Sequence, residues 1–241
     1  MQCTILVTGT DTGIGKTAVT CAIAAALDLR GLDVGVMKPV ETGCAPDATG
    51  ARHPPDAGHL RWFAGRADPL DTVCPYPLRD PLAPALAARR EGIPLDIDRI
   101  AAHVQRLRAT CAIGLIEGAG GLLAPFAVRA TLADLAAACA LPLLIVVGNR
   151  LGCVNHAAMT VRCAEAAGLR IAGYVVNTLT AEPDLATETN VDLLAETIGP
   201  SLGVMPWLGH IECTEADRRR LAAAAERALD LDRLLATARN P

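Results

Sequence analysis

The sequence predicts an α/β class fold, doubly wound, with a mostly parallel sheet carrying helices on both faces. Three features point to it. Short apolar runs rich in β-branched residues alternate with longer Ala/Leu-rich segments along the chain. Those runs are apolar throughout rather than alternating, the pattern of strands covered on both sides. A glycine-rich turn, "GTDTGIGKT" (9–17), joins the first apolar run to the first Ala-rich segment.

Each element follows from local signals. "TILVTG" (4–9) is the first strand, and the helix after the turn runs from about Lys16 to Arg30, with Gly31 placed to end it. "DVGVMKPV" (33–40) reads as a second strand. Residues 43–58 hold three prolines and three glycines and form a loop. Helical patterns resume at about 56–66, 82–91 and 96–109. Strands are expected at "AIGLIEG" (112–118), "PLLIVVGN" (142–149) and "IAGYVVN" (171–177), with helices between them. "LGVMPW" (202–207) is a weaker last strand. A helical tail follows, and its charge run at 215–227 is the wet face of a helix. With no internal repeat and no dividing linker, one domain over 1–241 is expected.

Composition narrows the function. The chain of 241 residues is 51% hydrophobic and 20% charged, enough to bury a substantial core. A net charge of −4, with two Trp, two Tyr and two Phe, argues against a nucleic-acid binder, which needs a basic face and often stacking aromatics. The N-terminus has no basic n-region followed by an apolar run, and no apolar stretch is long enough to span a bilayer, so a cytoplasmic protein is expected. The nine cysteines are odd in number, scattered, and never spaced Cys-x-x-Cys. Neither a disulfide framework nor a zinc site is expected. Cys21, Cys139 and Cys163 fall in apolar helical stretches, where they should pack as small hydrophobes.

Four stretches carry chemistry. In "GTDTGIGKT", Gly15-Lys16-Thr17 ends a phosphate loop of the Walker A kind, although Gly9 stands one residue too early for the usual spacing. Backbone N–H groups and the helix start would cradle phosphate there, Lys16 would reach the β- and γ-phosphates, and the Thr17 hydroxyl would ligate Mg2+. "MKPVETG" (37–43) places Lys38 at a strand end, where ligands of a doubly wound sheet gather. "LIEGAGG" (115–121) is an apolar strand ending in a carboxylate, as in a Walker B element, with Glu117 in place of the commoner Asp. Asp56, from the Pro-rich loop, would give a hard cation a second carboxylate, and Asp47 competes for that role. Finally, "VVGNRLGCVNHA" (146–157) leads through Gly152 into a helix whose N-terminus is a second anion site.

Together, "GTDTGIGKT", "KPVETG", "EGAGG", "RLGCVNH" and "LGVMPWL" resemble the dethiobiotin synthetase family, in its order and at similar separations, from about residue 4 to 208. The early glycine and the Thr-Asp-Thr of the loop are this family's version of Walker A. The resemblance implies a P-loop NTPase-like fold and an ATP- and Mg2+-dependent ligase of biotin biosynthesis. Its substrates would be 7,8-diaminopelargonate and CO2, and its products dethiobiotin, ADP and phosphate. It assigns Lys38 and Lys16 to catalysis. ATP contacts fall on Gly13, Ile14, Gly15, Lys16, Thr17 and Ala18, on Glu117, Gly118, Ala119 and Gly120, and on Asn177, Pro206, Trp207 and Leu208 around the adenine. Mg2+ falls on Thr17, Asp56 and Glu117. Thr12, Thr42, Gly152, Cys153 and Asn155 would hold substrate, the last three across a homodimer interface. Two rivals share such a fold. A nucleotide-switch ATPase of the partitioning kind would carry an additional lysine early in the loop, where Thr10 and Asp11 stand. A small-molecule kinase would carry an Arg-bearing lid, and none is evident.

Overall fold

The computed structural model describes residues 2–239. The chain opens with β1 (Cys3–Gly9), buried along its whole length, and turns through the glycine-rich loop into α1 (Lys16–Leu29). β2 (Val34–Met37) is cut short, because Pro39 brings no N–H to a ladder and the Lys38 N–H goes to the Val73 carbonyl at 2.9 Å. The strand expected over 33–40 is therefore two. β2 belongs to the main sheet, while β3 (Val40–Thr42) pairs in parallel with β4 (Tyr76–Leu78) in a small separate sheet. Between β3 and β4 lie α2 (Pro55–Phe63) and a single turn, α3 (Leu70–Val73).

Two helices follow, α4 (Pro84–Arg90) and α5 (Ile97–Thr110), the second capped by Asp96, whose carboxylate accepts the Arg99 N–H at 2.8 Å. β5 (Ile113–Gly121) runs past its apolar stretch into the glycines after Glu117. A short hairpin of β6 (Pro125–Ala127) and β7 (Ala130–Thr131) leads into α6 (Leu132–Ala138), which opens on a capping box between Thr131 and Asp134. Then come β8 (Leu143–Asn149), α7 (Cys153–Ala166), β9 (Ile171–Thr178) and α8 (Leu185–Ile198). The last strand, β10, shrinks to Val204–Met205, since Pro206 cannot extend the ladder. The helical tail is broken into α9 (Glu215–Ala228) and α10 (Leu231–Arg239). At the break, Leu229 is extended and the Asp230 N–H bonds to the Leu202 carbonyl at 2.8 Å, pinning the tail to the sheet edge.

The main sheet is parallel, in the order β10-β9-β8-β1-β5-β2. Alternate residues of β1 enter opposite cores. Ile5 and Val7 join α1, α2, α9 and α10 on one face, while Leu6 joins residues of α5, α6, α7 and α8 on the other. Burial on both faces explains the uniformly apolar strands. Helix α1 is itself mostly buried, sandwiched between the sheet and α9 with α2 alongside. Cys21 and Cys139 are buried and Cys163 is half-buried. No helix among the described residues is long and apolar enough to cross a membrane. From β1 the chain moves out to β2 and β5 on one side and then to β8, β9 and β10 on the other, so the order reverses at β1. Ligands of such sheets sit outside the carboxyl ends of the strands at that reversal.

Candidate active site

The glycine-rich loop leaves β1 at Gly9 and enters α1 through Gly15, whose φ of 82° only glycine adopts easily. Gly15 gives α1 no side-chain cap, so the N–H groups of its first turn are presented to an incoming anion. Lys16 is buried, and its ammonium donates to the Asp11 carbonyl at 2.9 Å. Burial lowers its pKa from the ordinary lysine value, with the Lys38 charge adding to that and the Glu117 carboxylate opposing it. A phosphate would supply the missing counter-charge. The loop and its surroundings bound a cavity of about 540 Å3. Thr12, Gly13, Gly15, Lys16, Thr17 and Ala18 line one wall.

The opposite wall follows from strand register. Met37 of β2 lies beside Ile116 of β5, so Lys38, just past the end of β2, meets Glu117 midway along β5. The Lys38 ammonium donates to Glu117 Oε1 at 2.7 Å and to Asp56 Oδ2. Burial alone would lower the Lys38 pKa. The two carboxylates reverse that and hold it above the ordinary value, so the ammonium stays charged. The Thr17 hydroxyl donates to the same Glu117 oxygen at 2.8 Å. Glu117 is fully buried, and its other oxygen, Oε2, has no hydrogen-bond partner among the described residues. Breaking one member out of such a buried ion cluster leaves an uncompensated charge, typically a cost of about 3–5 kcal/mol. Thr42, Gly118, Ala119 and Gly120 complete this side of the cavity.

A divalent metal fits these residues. One hydroxyl and two carboxylates offer hard oxygens, and Glu117 Oε2 is a buried acceptor without a donor. Among the described residues, no cluster of three or more His, Cys, Asp or Glu side chains could hold a metal unaided. That suits Mg2+, which is usually held by one or two carboxylates together with phosphate oxygens. Asp47 lies outside the cavity. It is an exposed loop residue whose carboxylate accepts the Thr49 and Ala51 N–H groups and faces His53, and the Thr49 and His53 contacts hold it well below the ordinary carboxylate pKa.

Other expected residues lie outside this cavity. Ile14 has a buried side chain, and its carbonyl accepts the Asn177 Nδ2 at 2.9 Å. That bond commits the donor side of the Asn177 amide to the phosphate loop and leaves Oδ1 as the group's acceptor. Pro206 and Trp207 are exposed, and Leu208 is buried with its carbonyl held by Arg220 Nη1 at 2.5 Å. Gly152 (φ 90°) caps α7, again with no side-chain cap and no acid in the first turn. Cys153 behind it is buried, and Asn155 has its amide near Met159. The turn before α7 is fixed by buried Asn190, whose Nδ2 donates to the Arg150 carbonyl and Asn149 Oδ1 at 3.1 and 3.0 Å. Arg150 reaches across to Asp11 of the phosphate loop.

Sequence reasoning missed several residues of the cavity: Cys21, Glu41, His59 and Ile211 also line it. Glu41 is the telling one. It is buried, and its two oxygens accept the N–H groups of Asp56 (2.9 Å) and Ala57 (3.0 Å). Burial pushes its pKa up to about 7, against those N–H bonds, which favour the ionised form. The only hint in the sequence is an acid flanked by Val40 and Thr42 in a strand-like stretch.

A phosphate loop opposite a buried acid on the neighbouring strand, at the reversal point of a parallel sheet, defines a P-loop nucleoside triphosphatase fold. A solved ParA family ATPase from Chlorobium tepidum matches it with a TM-score of 0.54, covering 94% of this chain and 93% of that one. At 11% identity that likeness is one of fold. A family model described as an AAA domain matches residues 3–215. The ATP-dependent dethiobiotin synthetase BioD of Anaeromyxobacter dehalogenans (strain 2CP-1) is 44% identical over 204 residues, which are 84% of this chain and 89% of that one. Its counterpart from Thermodesulfovibrio yellowstonii is 34% identical over 98% of this chain and 99% of its own. This chain belongs to the dethiobiotin synthetase family.

Proposed function

We propose that this chain closes the cyclic urea of dethiobiotin from 7,8-diaminopelargonate and CO2 at the expense of ATP, in the cavity between the phosphate loop and Lys38. The observation that carries the assignment is the Lys38 ammonium, buried between Glu117 and Asp56 and opposite Lys16. An amine adds to CO2 without a strong base, losing a proton to leave a carbamate anion. Carbamate and γ-phosphate repel each other, and two fixed ammonium groups facing the cavity offset that repulsion. The carbamate oxygen then displaces ADP from the γ-phosphorus, giving a carbamic–phosphoric anhydride. The second amine attacks its carbonyl carbon, and phosphate leaves with the oxygen that bridged carbon and phosphorus. Holding these groups in line is the main contribution of the protein, because nothing here requires a covalent enzyme intermediate.

Thr17, Asp56 and Glu117 are the residues that would hold Mg2+, and the ion when bound would neutralise phosphate charge. Asn177 Oδ1 would accept from the exocyclic amine of adenine beside the loop of Pro206, Trp207 and Leu208. Thr12 and Thr42 would contact the substrate amines. The capless start of α7, with Gly152, Cys153 and Asn155, would receive the substrate carboxylate. Within one chain those three residues do not line the Lys38 cavity, which supports a homodimer in which each chain lends this helix start to its neighbour.

The test is product formation in wild type and Lys38→Gln. Wild type should form ADP and dethiobiotin in equal amounts, and only when both diaminopelargonate and bicarbonate are present. Lys38→Gln, confirmed as folded, should still bind ATP but lose urea formation by a factor of about a hundred or more. ADP release indifferent to diaminopelargonate, or an active Lys38→Gln enzyme, would overturn the assignment.

A further inference from the structure

Helix α2 begins in an unusual way. Its N-cap residue is Pro54, which has no side-chain acceptor, and its first residue is Pro55, which has no N–H. The remaining donors of the first turn can be accounted for one by one. The Gly58 N–H goes to the Pro54 carbonyl at 3.0 Å. The Asp56 and Ala57 N–H groups, which lack intrahelical partners, are both taken by Glu41, one by each carboxylate oxygen. The cap therefore comes from another element, β3, which follows directly on Lys38 and Pro39. Glu41 is 3% exposed. Burying a carboxylate is costly, and an apolar side chain would fill the space at lower cost. What an apolar side chain lacks is two acceptors aimed at the start of α2.

Asp56 sits in that same first turn, and its carboxylate does not cap its own helix. It is turned to the Lys38 ammonium. Asp56 is also the one member of the ion cluster that comes from the long Pro-rich segment rather than from a sheet strand or the phosphate loop. Its side chain is 40% exposed, against 6% for Lys38 and 0% for Glu117. The paired strands β2 and β5 position Lys38 and Glu117. The Asp56 backbone is tied to that framework by Glu41.

We infer that Glu41 is a positioning residue for the metal side of the site: with both carboxylate oxygens on the Asp56 and Ala57 N–H groups, it anchors α2 and holds the Asp56 carboxylate at Lys38 and Glu117. In this role Glu41 acts through Asp56, both of its carboxylate oxygens being taken by backbone N–H groups. The inference rests on the assignment of Asp56 as a metal ligand. Partners that orient a ligating carboxylate typically change metal affinity by ten- to a hundredfold when removed. Gln at this position keeps the shape and one acceptor but turns an NH2 group toward a backbone donor.

The experiment uses Glu41→Gln, Asp56→Asn and the double variant, each checked for folding by circular dichroism. Mn2+ binding to the ATP complex is followed by electron paramagnetic resonance, and amide exchange is followed in the metal-free protein. Glu41→Gln should weaken Mn2+ binding by about tenfold or more. ATP affinity without metal should stay unchanged. The Asp56 and Ala57 amides should exchange faster, while those of Leu60 and Phe63 hold. In the Asp56→Asn background, Glu41→Gln should add nothing to the loss of Mn2+ affinity. If Glu41→Gln does not fold, Glu41→Asp, which keeps the charge but falls one methylene short, takes its place with the same readings. Asp56→Asn weakening Mn2+ while a folded Glu41 variant leaves it unchanged overturns this inference alone. Mn2+ binding indifferent to Asp56→Asn overturns the metal assignment and the inference with it.

Discussion

Two buried lysines face one cavity, and their charges are balanced differently. Lys38 is held charged by Glu117 and Asp56, whereas the Lys16 ammonium has, among the described residues, only a carbonyl as its hydrogen-bond partner and its pKa is pushed down by burial. That asymmetry suits a site waiting for an anion on the loop side. Glu41 adds the opposite imbalance, a carboxyl whose folded pKa of about 7 stands above its ordinary 4.5. A group raised in this way contributes stability that is full below the unfolded value and lost as pH rises through the folded one. The Tm of the metal-free wild type minus that of Glu41→Gln should therefore fall between pH 5 and pH 8. A difference that stays level or rises across that window would contradict this reading of Glu41. Lys38 and Glu117 were legible in the sequence because each directly follows an apolar run. Glu41 was not, because its partners are backbone N–H groups fifteen and sixteen positions away, and backbone N–H groups leave no mark on a sequence. In the same loop the sequence left Asp47 as a competitor to Asp56 for the metal. Their difference lies in α2, which carries Asp56 back to the sheet, while Asp47 closes a turn on its own neighbours.

Among the elements, the joint between phosphate loop and α1 is the most constrained. Gly15 caps the helix at a left-handed φ, and a Cβ there would run into the Asn177 amide, which is bonded to the Ile14 carbonyl. The loop, α1 and β9 are thus tied together at one point. Gly15→Ala should cost about 1–2 kcal/mol from the backbone alone, and the displaced Asn177 should lower ATP affinity as well. Thermal melts and calorimetric titration with ATP check both, and a Gly15→Ala protein that matches wild type in Tm and ATP affinity would contradict this account of the joint. The strands of the main sheet were easy to read, since burial on both faces leaves uninterrupted apolar runs, whereas β4, β6 and β7, at two or three residues each, leave no such run. Strand limits were harder to read. The run 33–40 continues in apolar character across Pro39, yet the missing N–H splits it between two sheets. The tail looks like one helix until Leu229 and Asp230 turn to pair with the sheet edge, a contact that no helical periodicity encodes.

For the molecule as a whole, the uncapped start of α7 and the Lys38 cavity are separate surfaces of one chain, and Leu151, Leu123 and Met159 are exposed apolar side chains. A dimer that shares sites would cover such side chains and bring the two surfaces together. Take Lys38→Gln and Gly152→Glu, the latter placing a carboxylate where one should bind. Neither homodimer should work. In a mixed dimer one site inherits both defects and the other none, so random mixing should restore about a quarter of wild-type activity. A mixture that stays inactive although mass spectrometry shows exchanged subunits would contradict the shared site. The fold class was legible from alternation and the loop, but an interface between copies depends on shape, which one sequence does not display. The central claim is that carbamate oxygen, and not water, attacks the γ-phosphorus. A fold shared with ATPases makes water the natural alternative. The most direct measurement is a rapid-quench turnover with 18O-labelled CO2, stopped before the label exchanges with solvent. The account predicts one labelled oxygen in the phosphate released and one in the urea carbonyl, while unlabelled phosphate would contradict it.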